Sequence, residues 1–256
     1  MAFKWTKVQV KERTNELVKL YCLKNLSIKE ISKILGISES GVYRRAIRLK
    51  IKTHPELKNK FRNQRHINLP KYSDDLAEFT GILLGDGHLS KTQLVISLGL
   101  KEFEYLKYIV FLFKNIFKIK PKFMTRNSGH RDIYFGSVTL VRFFKSMGLV
   151  ENKVASQVGI PKWISTKRSY QRRFLRGLFD TDGSIYKLKF GDQISLCNRS
   201  FPLLKGARLM LLNLNYKPSQ VSGYNIYLTK RDNLLRFANE IGSSNRYKRE
   251  LLKNMK

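Results

Sequence analysis

The chain has 256 residues, with 50 Lys and Arg against 19 Asp and Glu, giving a net charge of +31 and an isoelectric point near 10.3. At 42% hydrophobic and 12% aromatic residues it holds too much burial material for a disordered basic tail, and a chain this long is expected to form about two domains. A globular protein that accepts this much self-repulsion usually has a polyanionic partner, nucleic acid before all others.

Cys22 and Cys197 are too far apart and too few for a disulfide scaffold, and four scattered histidines offer no zinc spacing. The first sixteen residues lack the apolar core of a signal peptide. The most apolar run, 105–113, contains Lys107 and is about half the length of a membrane span. These features predict a soluble, non-secreted, intracellular protein of the cytoplasm, nucleoid or an organellar matrix.

In chain order, 10–21 has apolar residues at helical spacing. Ser27 and Glu30 form an S-x-x-E capping box that opens a helix whose buried face is expected to hold Ile28, Ile31, Ile34 and Leu35. Gly36 ends it. Ser38 caps the next helix, where Val42, Ala46, Ile47 and Leu49 continue the apolar stripe. The pattern over 1–52 resembles a helix-turn-helix DNA-binding unit, in which the second helix enters the major groove. That resemblance places Glu39, Ser40, Tyr43 and Arg44 at base edges, with Arg45 and Arg48 nearer the phosphates. Residues 53–72 turn polar, basic and broken by Pro55 and Pro70, as in a linker lying along DNA.

The remainder is a degenerate repeat, 73–165 and 166–256. One copy opens with Phe79-Thr-Gly-Ile-Leu-Leu-Gly-Asp-Gly87, the other with Leu175-Arg-Gly-Leu-Phe-Asp-Thr-Asp-Gly183. In the first copy a strand (93–98), a helix (102–117), a strand pair (122–126 and 131–135) and a helix (140–147) follow. In the second there are strands (184–190 and 193–198), a helix (202–214), a strand pair (216–221 and 224–228) and a helix (233–241). Two αββαββα halves of about ninety residues predict an α+β fold with pseudo-two-fold symmetry and helices on one face of antiparallel sheets. Each motif reads as an apolar helix with small residues four apart, Gly81 with Gly85 and Gly177 with Thr181, so the two helices are expected to pack on each other. Asp86 and Asp182 then converge at two helix C-termini, where the macrodipole is already negative. Two such carboxylates call for a hard cation, Mg²⁺ in particular.

This sequence resembles the LAGLIDADG homing endonucleases of the single-chain, two-motif kind over about 73–256. The resemblance implies two β-sheets forming a saddle on double-stranded DNA, a long asymmetric target site and a monomer. It also implies a metal-dependent double-strand cut across the minor groove that leaves short 3′ overhangs. Two or three divalent cations, Mg²⁺ or Mn²⁺, would be held by Asp86 with the Gly85 carbonyl and by Asp182 with the Thr181 carbonyl. Leu84 stands where the second motif has Asp180, a position the resemblance assigns to helix packing. A basic residue in each half is implied as well: Lys153 in the first, and Lys248 in the second with Arg246 as its rival. No Ser-His-Asp grouping or phosphate-binding P-loop suggests other hydrolytic chemistry. Period-two alternation places Lys187 and Lys189 on one strand face as DNA contacts, continued by Gln193 and Ser195. Gln93, Lys122 and Arg126 are their counterparts in the first half. Two alternatives share the scaffold: an RNA maturase that assists intron splicing, and an inactive DNA-binding regulator.

Overall fold

The structure is a computed structural model, described for residues 7–24, 26–49, 51, 67–127, 129–189 and 191–255. The chain divides into two compact units, Met1–Gln64 and Arg65–Lys256. The stretch 53–66 of the expected linker lies outside the described residues.

In the first unit, α1 (Lys7–Val18) runs into a π-helical turn (Lys19–Leu23), followed by α2 (Ile28–Leu35) and α3 (Glu39–Arg48). The capping box is formed: Ser27 Oγ accepts from the Glu30 N–H, and Glu30 Oε2 accepts from the Ser27 N–H at 2.7 Å. Gly36 closes α2 at φ +62°, a left-handed turn that costs glycine nothing, and Ser38 Oγ caps α3 through the Gly41 N–H. Leu17, Leu20, Tyr21, Ile28, Ile31, Leu35, Val42 and Ala46 form this unit's own core. Ile34 and Ile47, each 54% exposed, and Leu49 stay outside it, contrary to the expected stripe. At 100° per residue Ile34 lies well off the arc shared by Ile28, Ile31 and Leu35.

The second unit opens with α4 (Asp74–Gly85), whose residues from Leu76 to Leu84 are all buried. Then come β1 (Gly87–Leu89), β2 (Gln93–Gly99), α5 (Phe103–Phe117), β3 (Lys122–Thr125), β4 (His130–Gly136) and α6 (Val138–Ser146). A 3₁₀ turn (Lys162–Thr166) leads into the second copy: α7 (Arg168–Asp182), β5 (Gly183–Leu188), β6 (Gly191–Cys197), α8 (Phe201–Asn213), β7 (Asn225–Leu228), α9 (Arg231–Glu240) and α10 (Arg246–Lys253). Residues 67–72, expected as linker, pack here: Ile67 is buried, Tyr72 stacks on Trp163 at 4.4 Å, and Tyr170 Oη donates to the Tyr72 carbonyl.

The first sheet is antiparallel in the order β1-β2-β4-β3, the second β5-β6-β7. Both lay one face on a shared core that includes Phe79, Phe113, Phe135, Phe179, Ile194 and Phe237. The strand expected over 216–221 does not form. Pro218 cannot donate to a ladder, and Ser219 Oγ takes the Tyr227 N–H at 3.0 Å in place of a backbone acceptor. The short β1 was not anticipated. No described helix is long and apolar enough to cross a membrane.

Helices α4 and α7 pack directly on each other, backbone against backbone. A Cβ on Gly81 would lie 2.8 Å from the Leu178 amide nitrogen, and one on Gly177 would lie 3.0 Å from the Ile82 nitrogen. Gly81→Ala or Gly177→Ala is therefore expected to cost about 1–3 kcal/mol, as overpacking does. Denaturant unfolding reads that loss, and an unchanged midpoint would contradict the close approach.

Candidate active site

The close approach brings together the two helix C-termini. Asp86 caps α4 and Asp182 is the last residue of α7. A Cβ on Gly85 would lie 3.3 Å from the Asp182 carboxyl carbon, so the second motif's acid rests against the first motif's backbone.

Each terminus carries a lysine. Lys153 Nζ donates to the carbonyls of Leu83 (3.3 Å), Leu84 (3.0 Å) and Gly85. Lys248 Nζ donates to those of Phe179 (2.9 Å), Asp180 (2.8 Å), Thr181 (3.4 Å) and Gly183 (2.7 Å). Phe179, Asp180 and Thr181 are the repeat counterparts of Leu83, Leu84 and Gly85, so the two lysines sit on equivalent carbonyls of equivalent helices. They place positive charge where the two macrodipoles are negative. Sequence reasoning expected the two carboxylates to need an outside cation, and these ammonium groups already supply part of that charge.

Burial sets the electrostatics. It pushes Asp182 up to about 7, and nearby Asp86 adds to the rise. An Asn198 Nδ2 hydrogen bond at 2.6 Å and the two lysines oppose it. Asp86 is raised by burial and by Glu102, against the pull of Lys153 and Lys248. Burial draws both lysines below the usual range, and the carboxylates draw them back. A cavity of about 730 Å³ lies beside Lys248, lined in part by Glu102, Tyr105, Asn245, Arg246 and Tyr247. Arg246 opens α10 on that wall, whereas it is Lys248 that reaches the helix end.

Sequence reasoning missed Asn198 and Glu78, and the partners of Asp180. Asn198 grips Asp182 and, through Oδ1, accepts from the Ser200 N–H, a pairing no sequence spacing announces. Glu78, fully buried on α4, accepts from Tyr108 Oη and Ser244 Oγ at 2.6 Å each and pairs with Arg173 at 2.9 Å. Asp180 accepts from Ser243 Oγ and from the Ser244 N–H, so it is a packing residue turned away from the converging carboxylates.

Elsewhere the outcome is mixed. Ser40, Tyr43, Arg44 and Arg48 lie exposed on α3, with Arg45 half-buried. Gln93 and Lys122 share the open face of the first sheet with Ser97 and Tyr134, because Leu94, Ile96, Ile133 and Phe135 take the core face. Arg126, just past β3, is ion-paired with Asp132 at 2.6 Å.

The expected second-half face is corrected by register. Ile185 pairs with Ile194 on the core side, so Lys187, opposite Asp192, belongs to that side's edge. Gln193, opposite Tyr186, and Ser195, opposite Ser184, point the other way. Ser195 is 2% exposed in the central strand and is not open to a partner. Lys189 lies beyond the end of β5.

Among the described residues no three His, Cys, Asp or Glu side chains cluster to hold a metal. Two carboxylates and the helix-end carbonyls are nevertheless hard oxygen donors of the kind Mg²⁺ takes, which commonly completes its shell with water and substrate phosphate. The Gly85 and Thr181 carbonyls each accept a lysine proton already, which marks them as cation-facing, and a carbonyl oxygen has a second lone pair for another partner. The residues present fit the ion.

The fold is α+β of the LAGLIDADG type, with two pseudo-symmetric halves and an all-α helix-turn-helix unit before them. A model of the LAGLIDADG-like domain matches residues 169–242, and one of Sigma-70, region 4, matches residues 9–51. The chain is 29% identical over 246 residues to the replication factor C small subunit of Methanocaldococcus jannaschii, covering 91% of this chain and 13% of that protein. The namesake from Thermococcus kodakarensis is 28% identical over 190 residues, or 69% of this chain and 20% of that one. The chain thus spans only a small part of the length of these relatives. Among solved structures, the homing endonuclease I-DmoI in complex with DNA and Ca aligns with a TM-score of 0.51 at 15% identity, over 70% of this chain and 97% of that one.

Proposed function

We propose that this chain is a site-specific endonuclease that binds double-stranded DNA as a monomer and hydrolyses both strands across the minor groove, leaving short 3′ overhangs. The observation that carries this reading is the paired centre: Asp86 and Asp182 at adjoining helix ends, each helix end capped by a lysine on equivalent carbonyls. Two strands need two equivalent sets of groups, and a pseudo-two-fold axis supplies them. The likeness in fold to I-DmoI, whose complex holds DNA and Ca, supports the same reading.

Asp86 with the Gly85 carbonyl, and Asp182 with the Thr181 carbonyl, would hold two or three Mg²⁺ ions, with Mn²⁺ as substitute. The chemistry supplied by ions held there would be activation of water near neutral pH and neutralisation of charge on the attacking and leaving oxygens. The chain's own groups orient the reaction. Asn198 fixes the Asp182 carboxylate. Lys153 and Lys248 hold positive charge at the point where a phosphate must enter and where charge builds on its oxygens. Gln93, Lys122 and Arg126 on the first sheet, and Gln193 on the second, contact the duplex. The helix-turn-helix unit, residues 1–52, extends the footprint through Ser40, Tyr43, Arg44, Arg45 and Arg48, and residues 53–72 join it to halves 73–165 and 166–256.

The test is a plasmid library of random duplex inserts incubated with purified chain and Mg²⁺, followed by sequencing of the broken ends. Breaks at a recurrent sequence with 3′ overhangs are expected. A chain that enriches a duplex but leaves it whole in Mg²⁺ and Mn²⁺ is a DNA-binding protein without nuclease activity, and one that instead promotes splicing of an intron RNA is a maturase. At the recovered site, Lys248→Met is expected to slow cutting about 100-fold, the scale of losing one charge-stabilising group, while Arg246→Met changes it by less than about 10-fold. Single-turnover rates on a labelled duplex check this, and a larger loss in Arg246→Met would reverse the choice between the two.

A further inference from the structure

The open face of the four-stranded sheet carries one acidic side chain among its described strand residues, Asp132 on β4, and that side chain is nearly hidden at 5% exposure. An acid on a face offered to phosphates would repel them unless it served another group. Register sets Ser97 of β2 and Met124 of β3 directly beside it. Ser97 Oγ donates to Asp132 Oδ1 at 2.6 Å, and Arg126 Nε donates to Oδ2 at 2.6 Å. His130 Nε2 stands 3.8 Å from Oδ1. Burial pushes the Asp132 carboxyl up, but the bonds from Ser97 and Arg126, and the charges of Arg126 and His130, outweigh it and hold it below the usual carboxylate range. The grip on Arg126 is therefore charge-assisted.

Arg126 is also fixed at its root. Its N–H donates to the His130 carbonyl at 2.8 Å, and its own carbonyl accepts from the Gly129 N–H at 3.1 Å, closing the turn between β3 and β4. The side chain remains 49% exposed. A guanidinium held at Nε keeps its Nη1–Nη2 edge for a second, bidentate pair of acceptors. In the major groove, O6 and N7 of guanine are such a pair. A side chain locked before binding also loses less rotamer entropy on contact than a free surface arginine does.

We propose that Asp132 is a positioning residue that presets Arg126 to read a single guanine in the major groove, making this pair a specificity determinant of the chain. The proposal rests on the reading of the protein as a site-specific DNA binder. A lysine such as Lys122, held only by its stem, contributes charge without this selectivity.

The full chain is used to enrich bound sequences from a pool of random duplexes, and the recovered motif is compared with those of Arg126→Lys and Asp132→Asn. The expected wild-type motif contains one position that is almost always guanine. Arg126→Lys keeps the charge and loses the preference there by about 10-fold or more, with every other position unchanged. Asp132→Asn keeps an acceptor for Nε but not the charge, and weakens the same preference several-fold. Thermal melting confirms that each variant is folded. Position-restricted loss supports the proposal. An unchanged motif in Arg126→Lys overturns it while leaving site-specific binding intact, and so does a uniform fall in affinity at all positions, which marks a phosphate contact or a hairpin staple. A wild-type chain that enriches no sequence overturns this proposal and the site-specific reading together.

Discussion

Asp86→Asn and Asp182→Asn are each expected to abolish double-strand cleavage, by about 10³-fold or more, while duplex affinity stays level or rises. Asparagine preserves volume and one acceptor oxygen but removes the charge that would hold a divalent ion, and the metal's contribution to nucleophile and leaving group goes with it. Affinity moves the other way because each substitution deletes a negative charge next to an incoming phosphate. Both strands should be spared by either substitution. The Asp182 carboxyl rests against Gly85 of the opposite half, and Asp86 acts on its titration, so the two acids share one field. The wild-type reaction carries a pH signature as well. Asp182 is pushed up to about 7, so below that pH a proton occupies the group that must hold the cation. Cleavage at limiting Mg²⁺ should therefore climb as pH rises through about 7. Gel assays with each strand labelled separately and run across about pH 6–8, paired with binding measured in Ca²⁺, test all four statements. Undiminished cleavage in either variant would remove this mechanism.

How much of this could be read from the chain depended on whether the signal was local. The two nine-residue motifs, their small residues four apart and the acid before the last glycine predicted the helix pairing and the convergence of Asp86 and Asp182, because helix periodicity alone fixes those faces. Lys153 and Lys248 lie far along the chain from the motifs they serve, and came from family resemblance alone. Register was lost. Gln193 and Ser195 were assigned to the face of Lys187, but the turn between β5 and β6 pairs Tyr186 with Gln193, and a one-residue difference moves every side chain to the other side of a sheet. The buried polar network was invisible for a different reason. Glu78 is paired by Tyr108, Arg173 and Ser244, from three separate segments, and its own neighbourhood in sequence reads only as an apolar helix.

Asp180→Asn is expected to stabilise the metal-free protein, and the gain should depend on pH. Asp180 is 1% exposed, and burial pushes its carboxyl up to about 7. Glu78 on α4 raises it further. Ser243 Oγ, the Ser244 N–H and Lys248 pull the other way without overcoming the burial. The ordinary value is 3.8, so the folded state binds this proton more tightly than the unfolded chain does. Stability from this group is therefore fully present below about pH 4 and is lost progressively as pH rises to about 7, with a plateau above. At about 1.4 kcal/mol per pH unit, full ionisation costs up to about 4 kcal/mol. Asparagine avoids that cost and can keep the local bonding. Its carbonyl accepts from the Ser244 N–H in place of Oδ2, while its amide donates to Ser243 Oγ, which turns its own proton to the Asn245 carbonyl 3.0 Å away. The repeat counterpart, Leu84, shows that no charge is needed at this position for helix packing. In EDTA, the variant should match the wild type near pH 4 and melt roughly 5–15 °C higher at pH 8, at about 2–4 °C per kcal/mol for a unit of this size. A melting difference that is independent of pH would show that Asp180 is ionised throughout, and a variant less stable at pH 8 would mean that its charge supports the fold.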